Sequence, residues 1–178
     1  MTTENTTLTR ERADILETLE KHRYFLRHTA RDLNDEQARM RTTASELSLG
    51  GLIKHVAETE YGWADFILSG PDTMGGGGDS GDGDWDTEAW QARFQLLPDE
   101  TLSGVLADYE KVARRTDELV ASLPDLDAAH ALPVAPWFEP GASWSARRVL
   151  LHLIAETSQH AGHADIIREA LDGSKSMG

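Results

Sequence analysis

Apolar side chains recur every three or four residues in four separate stretches of this chain, and glycine or proline breaks the chain after the second and third stretches. Over 8–33 the pattern is carried by Ile15, Leu19, Tyr24, Phe25 and Leu26, set among charged residues. Over 47–68 it is carried by Leu49, Leu52, Ile53, Val56, Trp63, Phe66 and Ile67, and Gly70-Pro71 stops it. A third stretch, 98–123, opens on Pro-Asp-Glu and holds Leu102, Val105, Leu106, Tyr109, Val112, Leu119 and Val120. The last is capped by Ser143 or Ser145 and runs to about Leu171, with Gly173 as its terminator. Each pattern winds one apolar stripe onto a helix, and no stretch shows a convincing strand alternation. Four amphipathic helices hide their stripes by packing on one another, so the fold expected is all-α, a four-helix bundle.

The connections fit that reading. NDEQARM, at 34–40, has early acidic residues and suits a short helical turn before a loop ending at Ser45. GPDTMGGGGDSGDGDWD, at 70–86, is rich in Gly and Asp and is read as a flexible surface loop, with a short helical piece over 87–97 after it. Residues 124–142 contain Pro124, Pro133, Pro136 and Pro140 and read as an extended connection. DGDWDTE, at 82–88, looks like part of a calcium loop, but it lacks the glycine at the sixth position and has Arg93 where the closing glutamate belongs, so calcium is not expected there. At 178 residues, 1–178 is read as a single domain.

Charge and composition exclude several functions. With 31 acidic against 17 basic residues, the formal charge of -14 opposes binding to nucleic acid or to an anionic membrane surface. No apolar run approaches the ~20 residues of a membrane span. The polar start, MTTENTTLTRERAD, has no apolar signal core, so a cytoplasmic protein is expected. There is no cysteine, which removes disulfides, thiolate metal sites and a cysteine nucleophile. Any thiol chemistry must therefore take its sulfur from a small molecule.

The chemistry concentrates in the last stretch, where 152–168 reads HLIAETSQHAGHADIIR. At about 100° per residue, His152, Glu156, His160 and His163 fall within an arc of about 80° on one helix face. Glu156 and His160 stand one turn apart and can bind one cation jointly. A catalytic site for a first-row cation normally takes three protein ligands and keeps a position open, so a further ligand must come from another helix. The best candidate is His55, within the apolar stripe of the second helix; taken alone, it reads as a core histidine with one hydrogen bond. His152 is either a partner of the ligands or a polar residue at the bundle end. His22, His28 and His130 have no such companions, and Trp63, Trp137 and Trp144 suit a pocket wall as well as bundle packing.

Two segments, LSLGGLIKHVAETEYGW and SARRVLLHLIAETSQHAGHADIIREALDG, resemble the signature segments of the DinB/YfiT-like superfamily, in the branch related to mycothiol-dependent maleylpyruvate isomerase. With the first helix and NDEQARM, the similarity runs over roughly 8–173. The resemblance implies a four-helix bundle holding a divalent metal through one histidine of the second helix and two residues of the last, here His55, Glu156 and His160. It leaves His163 as a fourth ligand, a partner of a ligand or a proton carrier. The isomerase has an additional C-terminal domain, whereas this sequence ends five residues beyond Gly173. The nearer likeness is therefore to single-domain thiol S-transferases that use mycothiol or bacillithiol.

The function expected is a divalent-metal-dependent transferase using a mycothiol-like thiol as cosubstrate and an electrophilic small molecule as acceptor, with His163 moving protons. Zinc leads among the metals, nickel and ferrous iron also accepting these ligands. Two other readings use the same residues: a zinc-dependent hydrolase, or a non-catalytic metal-binding stress-response protein. The family resemblance also suggests a homodimer.

Overall fold

Helix caps set the framework. The computed structural model describes residues 8–73 and 91–176. Helix α1 spans Arg10–His28, with the Thr9 hydroxyl accepting from the Arg12 amide at 3.4 Å. It stops short of residue 33 because the chain tightens after Thr29 and Asp32 adopts a left-handed conformation, φ 62°. Helix α2, Asp35–Arg39, is the short turn expected from NDEQARM, and Asn34 and Gln37 form a reciprocal capping box around its first turn. Helix α3, Leu49–Ser69, is capped by Ser48 and stopped at Gly70, φ 80°. Helix α4, Leu102–Ser122, is capped by Thr101, and helix α5, Ala146–Asp172, by Ser145. The left-handed Gly173, φ 79°, closes α5.

Two expectations change. Pro98-Asp99-Glu100 does not open α4, because the Glu100 carboxylate accepts from the Leu97 amide at 2.8 Å and pairs with Lys54 Nζ at 2.7 Å. Those residues form a turn, and the free amide of Leu102 is satisfied by Asp35 Oδ1 at 2.8 Å. The proline-rich connection also contains a small antiparallel pair, β1 (Ala129–Ala131) and β2 (Ser143–Ser145), in the register Ala129↔Ser145, His130↔Trp144, Ala131↔Ser143. Strands of three residues are too short to show an alternation in sequence.

Of the expected flexible loop, Gly70 to Thr73 form a tight turn with Pro71–Thr73 in 3₁₀ conformation. The rest of that loop, most of the calcium-loop lookalike, and 87–90 of the short helical piece lie outside the described residues. What is described of the piece ends as helix at 92, and 93–95 turn.

The long helices pack as a four-helix bundle: α1 lies against α5 and α4, and α3 lies against α4 and α5. Their stripes meet in two apolar clusters. One gathers Leu26, Leu52, Ile53, Val56, Tyr109 and Ala164. The other gathers Leu19, Trp63, Phe66, Val120, Leu150 and Leu153. Tyr24, although at helical spacing, is exposed and stacks on His28 instead. At mid-bundle the fully buried Arg23 of α1 grips the fully buried Glu60 of α3 with both Nε and Nη2, at 3.1 and 2.5 Å, and reaches Asp117 of α4 at 2.8 Å. Burial opposes the Arg23 charge, yet the two carboxylates hold its pKa above the ordinary value. Among the described residues no helix is long and apolar enough to cross a membrane.

Candidate metal centre

Two antiparallel neighbours, α3 and α5, bring the ligand-type residues together. Antiparallel packing follows from the ring contacts: His55 meets His160 at 5.0 Å between centroids, and further along both helices Trp63 meets His152 at 5.1 Å. Ser145, at the end of β2, caps α5, so the strand pair anchors the end from which the Glu156 face is counted.

One ligand atom each from His55, Glu156 and His160 lies within 4.8 Å of the other two. His160 Nε2 stands 3.5 Å from Glu156 Oε2, and His152 Nε2 stands 3.9 Å from Glu156 Oε1. On the far side of His160, its Nδ1 lies 3.4 Å from Nδ1 of His163, one donating and the other accepting. Burial pushes the His55 imidazole down to about 4, with His160 and Arg93 adding to the effect. Burial also lowers His160 and His152, against the pull of Glu156. All three imidazoles are therefore neutral near pH 7, the state in which a ring nitrogen offers a lone pair.

The residues fit a divalent cation. Nδ1 of His55 is buried and, among the described residues, has no hydrogen-bond partner. A buried polar nitrogen left unpaired costs free energy and calls for an explanation. Two neutral imidazoles and a carboxylate converging from two helices form a donor set that zinc, nickel or ferrous iron accepts.

A family model described as mycothiol-S-transferase matches residues 14–173, a span that includes His55, Glu156, His160 and His163. The chain belongs to the mycothiol-S-transferase family. This is a DinB/YfiT-like family, and membership supports a mycothiol-related transferase function. No curated protein matches. Among solved structures, a conserved protein from Enterococcus faecalis is similar over 94% of this chain and 100% of its own, with a TM-score of 0.68 and 12% identity. At that identity the likeness speaks for the fold alone.

Around the triad of this mycothiol-S-transferase family member stand residues that sequence reasoning placed unevenly. His152 lies edge-on to Trp63 and Trp144, 5.1 Å from each, and the two indoles stack at 4.9 Å and 16°. Trp137 is 61% exposed and does not join that stack; it neighbours Phe138 at 6.2 Å. His28 and His130 are absorbed elsewhere, on Tyr24 and on the Ile67 carbonyl. Missing from the sequence reading is Phe94, whose ring stacks on His55 at 4.3 Å. Its one signal was the Gly50-Gly51 doublet a turn before His55.

Proposed function

We propose that the protein transfers a low-molecular-weight thiol of the mycothiol class to an electrophilic small molecule, using a divalent cation, zinc foremost, held by His55, Glu156 and His160. The observation that supports this is the convergence of those three ligand atoms within 4.8 Å, in a chain of the mycothiol-S-transferase family. A divalent cation bound by two neutral imidazoles and one carboxylate keeps net positive charge and an open position, and so favours the thiolate form of a thiol near neutral pH.

The chain's own residues do the rest. His55 and His160 offer neutral nitrogens, and Glu156 brings the single negative charge. With Nε2 of His160 facing the cation, its Nδ1–H donates to Nδ1 of His163, and that Nδ1 lone pair is the one on His163 that can take up the thiol proton. With no cysteine in the chain, the attacking sulfur belongs to the cosubstrate. That sulfur forms a bond to the electrophilic carbon, the leaving group departs with its electron pair, and the thiol proton passes to His163 and then to solvent. Incubating zinc-loaded protein with mycothiol and monobromobimane tests this. Conjugate formation above the uncatalysed rate, lost in His160→Ala, is the expected result, and a rate equal to background overturns the proposal.

A further inference from the structure

Two glycines open α3 one turn before His55; backbone of 94–95 fills the space above Gly51, and the Leu96 side chain with the Ala38 carbonyl fills that above Gly50. A Cβ on Gly51 would lie 1.8 Å from the carbonyl oxygen of Phe94 and 2.4 Å from its carbon. A Cβ on Gly50 would meet Leu96 Cδ2 at 2.9 Å and the Ala38 carbonyl at 3.2 Å. Segment 94–96 therefore lies directly on the first turn of α3, at an approach that only glycine permits.

Charged residues hold the segment there. Arg39 of α2 donates to the carbonyls of Leu96, at 3.2 Å, Leu97, at 3.1 Å, and Glu100. Lys54 pairs with Glu100 at 2.7 Å and reaches the Gln95 carbonyl at 3.5 Å, and Arg93 Nε meets Glu58 at 3.0 Å. Fixed at both ends, the segment lays the Phe94 ring on the face of His55, with 4.3 Å between centroids and 30° between planes. The edge of His160 closes on the same imidazole from another direction, at 82°.

We infer that Phe94, seated by Gly51, is a positioning residue for His55: it locks the imidazole in the one rotamer that aims it at Glu156 and His160. A helical histidine without such a wall samples several rotamers, and cation binding must then select one of them. Holding the ring ready during folding removes that selection from the binding step, so affinity rises without any new contact to the ion. This rests on reading His55 as a ligand, and its test keeps the two ideas apart.

Zinc affinity of the full, untagged chain, measured by competition with a chromophoric chelator, is compared among wild type, Phe94→Ala, Phe94→Leu, Phe94→Tyr, Gly51→Ala and His55→Ala. The visible absorption of the cobalt-loaded proteins reports on ligand geometry, and helix content and melting of the metal-free proteins report on folding. Phe94→Ala and Gly51→Ala are expected to bind zinc about 10–100-fold more weakly, the range typical of outer partners of metal ligands. Phe94→Leu, which keeps bulk but loses the flat face, weakens binding with unchanged melting, and Phe94→Tyr restores it together with the cobalt spectrum. Should Phe94→Ala fail to fold, Phe94→Leu decides. Wild-type affinity in Phe94→Leu alongside loss of zinc in His55→Ala overturns the positioning role and leaves the centre standing. Wild-type affinity in His55→Ala overturns both.

Discussion

His160 Nε2 and Glu156 Oε2 stand 3.5 Å apart on successive turns of α5, and the orphaned Nδ1 of His55 belongs to the only ring from α3 that joins them in the triad. Two residues a turn apart on one helix cannot enclose a cation; the third comes from a neighbouring helix, so the geometry of the triad depends on how α3 and α5 pack.

Glu156→Gln keeps the shape of the side chain and removes its charge. Zinc affinity is expected to fall by more than the about 10–100-fold that losing an outer partner of a ligand costs. Stability of the metal-free protein should stay within about 0.5 kcal/mol, because Glu156 is partly exposed and its nearest partners are imidazoles at 3.5 Å and beyond. Calorimetric zinc titration beside urea unfolding checks both halves.

The buried Arg23–Glu60 pair ties α1 to α3 between the two apolar clusters. Glu60→Ala leaves a buried guanidinium with Asp117 as its remaining carboxylate, and a loss near the lower end of about 3–5 kcal/mol is expected. Arg23→Met combined with Glu60→Leu should recover most of that loss, since no uncompensated charge then remains. Urea unfolding of the single and double variants measures the difference.

Arg168, buried near the end of α5, donates to the carbonyls of Thr29 and Arg31, at 2.7 Å each, and holds the Asp172 carboxylate at 2.9 Å. Arg168, helped by the Ser174 amide, keeps the Asp172 carboxyl at about 2, below the usual 3.8. Because the folded value is the lower one, this stabilisation is complete above the unfolded value and disappears as pH falls toward the folded one. The melting-temperature gap between wild type and Asp172→Asn should therefore be constant near neutral pH and narrow as pH drops from about 4 to about 2. A gap that stays constant down to pH 2 contradicts the assignment.

Periodicity carried the bundle because burial of one helix face writes itself into local sequence: Leu49, Leu52, Ile53, Val56, Trp63, Phe66 and Ile67 all proved buried on α3. The Glu156 and His160 face was legible for the same reason, four residues being one turn. Arg23 and Glu60 were not, because each reads as a solvated charge and their pairing spans 37 residues. Phe94 was hidden differently. It sits in a non-periodic segment whose place is set by backbone contact with Gly51 and by Arg39 on another helix, and no local pattern records such an approach. The start of α4 was misplaced because the Glu100 carboxylate, read as a first-turn residue of the helix, is taken by Leu97 and Lys54.

On the proposed function, His55, Glu156 and His160 hold one divalent cation that serves thiol transfer. Elemental analysis of the chain purified without a histidine tag, wild type beside His160→Ala, tests it most directly. Wild type is predicted to carry about one equivalent of divalent metal, zinc foremost, and His160→Ala to have lost it while retaining wild-type helix content. Equal metal content in the two proteins would remove His160 from the metal site.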